Sequence, residues 1–561
     1  MNDTDLIPSE EDSAEWATMA ANIDSESGGR HSVEVQLDEE LTNDEALAIL
    51  CQNEDFFEFL GTLVKVFRKE GRLTIQSFEK ASLRERLAHA VAFFKHKTTK
   101  DGAVRREFVR VPDWCVAGLI ARRHWPQVRQ LQGLASTPVL RADGTIAQIA
   151  GFDPQSGILL DLQEDFPAIP EFPSRVELQA AVQQLWTLVE DFPFLADRHR
   201  AGWIAALLTP LARSAYHGPT GPLFLFDSNI RGSGKSLLTD LISLIVEGRE
   251  AARLTAPDSD EEFRKRITAL AVEGTDRLIL LDNLEHGLGC ASLDAALTGE
   301  YWQDRVLQES RTVRCRLPMT WLASGNNTVL KGDTSRRVCL IRLESPLEHP
   351  EDRSNFRYPD IKSYVREHRQ ELLAAALIVL RAYFAAGRPD MELPAWGSFE
   401  GWSSVVRGAM VFAGLPDPAE TKAEVRNTAD SEADGLRAVV SVLPLIDSAN
   451  TGLTANQLID ICKGNQRSHS HEDVADLRSA VELFTGVTID KLSPVKLGNR
   501  LGRFQNRVCG GVRLDFRVSR GQKYWRVIQN SPGSGGDGDH GEVVHQPDED
   551  SSVPASTDDF F

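Results

Sequence analysis

Gly232-Ser233-Gly234-Lys235-Ser236 carries the sharpest chemical signal in this chain. Small residues let backbone N–H groups curl around phosphate oxygens, and the start of a helix adds partial positive charge. In such a loop Lys235 reaches the β- and γ-phosphates, the Ser236 hydroxyl ligates Mg²⁺, and Leu237 continues into the helix. The ligand this arrangement implies is Mg-ATP. The full loop motif has Gly where this chain has Asn229. Asn tolerates left-handed backbone better than most residues, so the loop is expected to close that way.

A second acid stands at the end of RLILLDN (277–283). An apolar run ending in Asp282 reads as a buried strand that delivers a carboxylate to the metal, beside Ser236. Asn283 follows, where many ATPases place a Glu that orients water. Glu285 is the nearest substitute, and Glu273 precedes the strand. A third strand, TWLASGNN, ends in Asn326-Asn327, and Asn327 is the expected holder of the attacking water. GDTSRRVCLIRLE then sets Arg336 and Arg337 before a further strand. An arginine there can neutralise charge on a neighbouring subunit's γ-phosphate, which ties activity to a ring.

These residues need a scaffold of strands and helices in alternation. PLFLFDS, KSLLTDLISLIV, RLILLDN, MTWLASGN and RRVCLIRLE supply it. Continuous apolar strands separated by helices indicate a parallel sheet in an α/β fold. The expected organisation is an acidic disordered tail (1–41), a mixed α/β domain (42–190), the P-loop ATPase domain (191–395), a helical segment (396–435), a basic winged-helix-like domain (436–528) and a second disordered acidic tail (529–561). The winged helix rests on the order helix, helix, helix, two strands after residue 436.

The order GSGKS, LILLDN, LASGNN, GDTSRR resembles the superfamily 3 helicases of the AAA+ class, nearest to the primase-helicase proteins of phages, plasmids and other mobile elements. Further stretches with a familiar look include AALTGEYWQDRVLQES and GSFEGWSSVVRGAMVFAGLPDP, so the resemblance spans roughly residues 42–435. It implies a ring, a hexamer, that hydrolyses ATP and moves on single-stranded or forked DNA during replication. In that family a hairpin before the third strand projects into the ring pore. DRVLQESRTVRCRLP (304–318) reads as such a hairpin through Val306, Thr312, Val313 and Leu317. It carries Arg305, Arg311, Arg314 and Arg316, and the resemblance places Arg311 and Arg314 near its tip, on DNA phosphates.

A second basic region lies at residues 491–528, with ten Lys/Arg against one acid, Asp515. Arg500, Arg503 and Arg507 have the spacing of one helical face. Arg517, Arg520 and Lys523 surround Gly521, where a wing would turn onto DNA. The Lys95–Arg110 stretch is also basic and is read as a solvated loop. The chain ends in STDDFF, which resembles the tips of bacterial single-stranded-DNA-binding proteins that dock on replication partners.

The net charge is −20, yet residues 1–45 carry −13 and residues 529–561 carry −8, leaving a body near neutrality. The acidity therefore does not exclude nucleic acid. The seven cysteines are scattered with no CxxC, which fits a reducing cytoplasm without disulfides or structural zinc. No apolar run reaches the ~18 residues of a membrane span. Two other functions fit the residues: an AAA+ switch that loads or remodels a protein partner in replication or defence, and a DNA-binding regulator with a degenerate ATPase.

Overall fold

The computed structural model describes residues 29–529, apart from 258, 285–286, 308–310, 348, 430, 465–468, 506–507, 510 and 520. The chain divides into two compact units between residues 429 and 430. The first is built on five parallel strands: β1 (Leu223–Ser228), β2 (Arg253–Thr255), β3 (Leu278–Leu284), β4 (Thr320–Asn326) and β5 (Val338–Leu343). Their spatial order is β2-β3-β4-β1-β5. Helix α1 (Lys235–Glu247) follows β1, and helix α2 (Asp260–Glu273) precedes β3.

Alternate residues of each strand point to opposite faces, and here the two faces bury into separate cores. Phe224, Phe226, Leu280, Leu322 and Ile341 join α1 on one side, while Leu223, Leu225, Leu281, Trp321 and Leu340 join α2 on the other. With both faces covered, the strands must be apolar throughout, which is why they read as unbroken runs. The chain leaves β1 for the β2 edge, returns through β3 and β4, and ends at β5 on the far side of β1. Ligands in open α/β sheets bind beyond the carboxyl ends of the strands at such a reversal.

Residues 31–160 form smaller sheets. One contains His31–Glu34, Val91–Thr98 and Val104–Phe108; a second contains Phe56–Phe59, Thr62–Lys69 and Arg72–Ser77; a third contains Gly133–Ala135, Gly151–Asp153 and Ile158–Leu160. Two sequence-based expectations change here. The strand His31–Glu34 falls inside the stretch expected to be a disordered tail, pairs in parallel with Val91–Phe94 and buries Val33. The next helix begins at Glu39, because the Asp38 carboxylate accepts from Glu40 N at 3.0 Å and caps it. The basic stretch read as a loop is instead the hairpin Val91–Thr98/Val104–Phe108. The remainder of the N-terminal tail lies outside the described residues. The amphipathic run at 361–387 forms two helices, Ile361–Glu367 and Arg369–Ala385, which meet at His368.

Among the described residues of the second unit, the α-helices are Ser431–Ile446, Ala455–Cys462, His471–Thr485 and Pro494–Arg503. An antiparallel sheet of Val508–Cys509, Val512–Ser519 and Gln522–Gln529 follows. Helix His471–Thr485 is one more than the sequence pattern indicated. Ser470 caps its start and Gly486, at φ +66°, ends it. Leu436, Leu458, Leu477, Phe484, Leu497 and Trp525 share its core. Among the described residues no helix is long and apolar enough to cross a membrane.

Candidate nucleotide site and nucleic-acid surfaces

The phosphate loop leaves the carboxyl end of β1 and enters α1 at Lys235. Gly232 and Gly234 hold φ values of +77° and +93°, backbone that glycine adopts freely. A Cβ on Gly234 would also stand 2.8 Å from the Phe192 ring. Asn229 is not among the residues with positive φ, so the expected reason for its tolerance is wrong. Its side chain works instead: Asn229 Nδ2 donates to Ser345 O at 3.1 Å and Ser345 N donates to Asn229 Oδ1 at 3.2 Å. This amide clasp fastens the loop to the chain leaving β5. Asn229→Ala is expected to weaken nucleotide binding about ten-fold, since each hydrogen bond contributes about 0.5–1.5 kcal/mol. Asn229→Gly should do no better, and titration with a fluorescent nucleotide reads both. Full recovery in the glycine variant would return the explanation to backbone conformation.

Lys235 lies buried and points back across the loop. Its Nζ donates to Ser228 Oγ at 2.6 Å, Asn326 Oδ1 at 2.8 Å and Ser233 Oγ at 3.4 Å. Burial pushes its pKa down, with the nearby Asp227 carboxylate opposing. These hydrogen-bond partners are neutral, and the Asp227 and Asp282 carboxylates offset the ammonium only in part. Ser236 sits in the first turn of α1.

Asp282 ends the regular part of β3. The pairing with β4 slips between Leu281 and Leu284, and Asn283 takes φ +56°. Such a bulge re-aims a side chain out of the ladder. Asp282 Oδ1 accepts from Ser324 Oγ at 2.5 Å and from Asn283 N at 3.1 Å, while Oδ2 meets Arg253 Nη1 at 3.1 Å. Arg253 also pairs with the buried Asp240 at 3.0 Å, and Lys362 joins the same carboxylate at 2.7 Å. Asn283 therefore shapes the bulge that turns Asp282. Glu285 lies outside the described residues. Glu273 closes α2 before β3 begins, at the sheet edge away from the loop.

Strand β4 lies between β1 and β3, so its end separates the phosphate loop from Asp282 across roughly 10 Å of sheet. The residue it presents to Lys235 is Asn326. Asn327, the residue singled out from sequence, turns aside at φ +47° and accepts from Arg342 Nη2 at 2.9 Å. Arg342 in turn pairs with the buried Asp227, which also accepts from Thr328 N at 2.9 Å. Asn326 is the last residue of β4, and the left-handed backbone just beyond the strand turns Asn327 to the other partner.

A hollow of about 450 Å³ opens beside Gly232–Gly234, walled by Phe192, Pro193, Leu237, Leu347, Phe356 and Tyr358. Two segments from either side of the core form it, joined where Arg353 meets Asp191 at 2.9 Å and Glu344 N donates to Pro193 O at 2.8 Å. A flat apolar hollow next to a phosphate cradle suits a nucleobase. Sequence reasoning missed this wall, although the aromatic–proline pairs Phe192-Pro193 and Tyr358-Pro359 flanking the core were visible.

Arg336 and Arg337 occupy a short 3₁₀ turn, Gly332–Arg337, ahead of β5. Val338 stands opposite Leu223, the first residue of β1, so this turn lies at the amino edge of the sheet. The six residues of β1, about 20 Å, separate it from the phosphate loop of the same chain. Arg337 is nearly buried against Asp294 at 2.7 Å and Asp333 at 3.0 Å. Arg336 is 62% exposed and touches Asp333 at 2.5 Å.

The basic hairpin pairs Trp302–Arg305 with Thr312–Cys315. Trp302, Val313, Cys315 and Leu317 face the core, and Thr312 faces out. Arg305 and Arg314 share the outward face, Arg314 lying 4.4 Å over the Tyr301 ring. Arg311 approaches Leu60 O at 3.4 Å, and Arg316 is held by Glu300 at 2.9 Å. The tip, residues 308–310, lies outside the described residues.

In the second unit Arg500 lies 5.4 Å over the Phe484 ring, so Val495, Lys496 and Asn499 form the exposed face of its helix. Lys496, one of the ten cations of this region, lies four residues before Arg500 and is exposed. Arg517 donates to Thr451 O at 2.8 Å, and Lys523 Nζ sits 4.1 Å over Phe516. Arg503 ends the helix; Arg507, Arg520 and the STDDFF tip lie outside the described residues or side chains.

No family model matches the chain, and no curated protein matches it. Solved structures similar to it include the C-terminal region of NrS-1, at 12% identity over 84% of this chain and 96% of that one, with a TM-score of 0.40. The SCCmec type IV Cch, titled an active helicase, is 9% identical over 84% of this chain and 92% of that one, with a TM-score of 0.34. The JCV helicase is 15% identical over 46% of this chain and 73% of that one, with a TM-score of 0.20. All three overlaps are loose in three dimensions.

Proposed function

We propose that this chain is an ATP-driven DNA helicase or translocase that works as a ring, as the sequence resemblance to mobile-element replication helicases implies. The observation that carries the reading is the division of the machinery across the sheet. A phosphate loop, a lysine, an amide and a carboxylate converge at the carboxyl edge, while the exposed Arg336 stands at the amino edge. One copy cannot bring the two together, whereas a neighbouring copy can.

The residues fit Mg-ATP. Two glycines in left-handed backbone form a cradle that a side chain on Gly234 would fill, and the α1 amino terminus faces it. Ser236 and Asp282 would hold Mg²⁺, which supplies neutralising charge at the phosphates. Lys235 exchanges Ser228 and Asn326 for phosphate oxygens. Asn326, released by that exchange, is placed to orient water. Phe192, Phe356 and Tyr358 enclose the base. We read residues 436–528 as a winged helix, with Pro494–Arg503 and the ribbon Val512–Gln529 as its DNA-facing parts.

Hydrolysis measured with and without forked DNA tests the function. A helicase is expected to show DNA-stimulated turnover and strand displacement, both lost in Lys235→Ala. Turnover indifferent to DNA would point to a protein remodeller, and absent turnover to a DNA-binding regulator.

A further inference from the structure

The hairpin Val91–Thr98/Val104–Phe108 contributes none of the residues of the proposed nucleotide site and has no role in the function above. Its base is buried, with Val91 through Phe94 in or at the core. From Lys95 onward both strands are exposed on both faces until Phe108. Residues 95–110 hold six cations, Lys95, Lys97, Lys100, Arg105, Arg106 and Arg110, against Asp101 and Glu107.

Register makes this more than a charged edge. Lys97 stands directly opposite Arg105, and His96 opposite Arg106. Like charges facing across a two-stranded ribbon destabilise it; Lys95, by contrast, faces Glu107. One face carries Lys95, Lys97 and Arg105 with a single acid, Glu107, which pairs with Lys97 at 3.0 Å. At the foot of the ribbon a cleft of about 410 Å³ is lined by Arg30, Arg84 and Arg110 with no acid among its walls.

We propose that this ribbon and its basic foot form a separate binding surface for duplex DNA, gripping phosphates along the major groove. A two-stranded ribbon fits a groove about 12 Å wide. Facing cations that repel in the free protein are relieved by phosphates between them. Single strands are held by stacking bases on exposed aromatics, and the ribbon's aromatics serve elsewhere: Phe94 is buried, and Arg106 covers its ring at 4.5 Å.

The test is binding of the full chain to a blunt random-sequence duplex, without nucleotide, across a salt series. Lys95→Gln/Lys97→Gln/Arg105→Gln is expected to weaken binding at least about ten-fold and to reduce the log–log salt slope by about 2–3, near one per lost phosphate contact. Single-strand affinity and DNA-free ATPase should stay within two-fold, roughly. Should the triple variant melt early, Lys95→Gln and Arg105→Gln decide singly, each lowering the slope by about 1. Unchanged duplex affinity and slope would overturn the proposal, as would a loss confined to single strands. Because no nucleotide is present, the outcome is independent of whether the chain is a motor.

Discussion

Lys235→Ala is expected to abolish ATP turnover, a loss of at least about 10²–10³-fold, the scale of removing one transition-state donor from a preorganised site. The geometry makes the loss specific. The Lys235 ammonium sits among Ser228, Ser233 and Asn326, oxygens that accept hydrogen bonds but bring no negative charge. Burial holds its pKa below the ordinary lysine value. A lysine whose folded pKa is depressed binds its proton less tightly in the native state than in the unfolded chain. Stability therefore rises with pH between the folded value and 10.5, and below that window the penalty is fully present. Near neutral pH the charge thus opposes folding until phosphate arrives. Lys235→Met should accordingly leave the nucleotide-free melting temperature equal to or above that of the parent, with the gap narrowing as pH climbs toward 10.5. The stabilisation conferred by Mg-ATP should disappear in both variants. Thermal melts with and without nucleotide, beside phosphate release, read all of this. Persistent hydrolysis in Lys235→Ala would dismiss the loop as the catalytic site.

Arg336→Ala should reduce turnover by about 10³-fold or more, the scale of an arginine finger, with nucleotide affinity retained. The reasoning is positional: the residue is exposed, and roughly 20 Å of its own sheet separates it from its own loop. Only a second copy can deliver it. Mixing Arg336→Ala with Lys235→Ala should therefore recover part of the activity, since a copy with an intact loop can meet a copy with an intact arginine. Arg337→Ala differs in kind. Arg337 is packed between Asp294 and Asp333, so its loss removes an ion-pair partner from each, with Arg336 still on Asp333 and Thr334 on Asp294, and is expected to lower stability first. A mixture with no recovery, together with normal turnover in Arg336→Ala, would remove the ring argument.

The strand–loop–helix around Lys235 was legible because its constraints are local. Small residues at fixed offsets, an apolar run before them and a helix after them leave few alternatives. The same holds for Asp282 at the end of an apolar strand, and for a hairpin read at 304–318, whose strands are Trp302–Arg305 and Thr312–Cys315. Other residues were misread where the decision was not local. Asn326 and Asn327 are chemically identical neighbours; the end of β4 between two partner strands sets Asn326 at Lys235, and the left-handed backbone after it turns Asn327 to Arg342. Asn229 looked like a substitute for backbone freedom, and its real contribution is a clasp to Ser345, 116 positions along the chain. Arg500 looked like part of a basic face and lies instead over Phe484, which a helix not read from sequence contributes.

By itself the amino-acid sequence determined the strand–loop–helix around Lys235, the parallel α/β core and the separation of two acidic termini from a body that is nearly neutral. Those properties depend on residue type and spacing along one stretch of chain. Tertiary structure decided which amide meets the lysine, that Arg253 meets the Asp282 carboxylate, that an aromatic hollow lies beside the loop, and that Arg336 stands at the far edge of the sheet. Each of these depends on strand order and on contacts between residues tens to hundreds of positions apart. Local periodicity carries no record of which strand inserts between which others, and in this fold the insertion of β4 between β1 and β3 is what assembles the site.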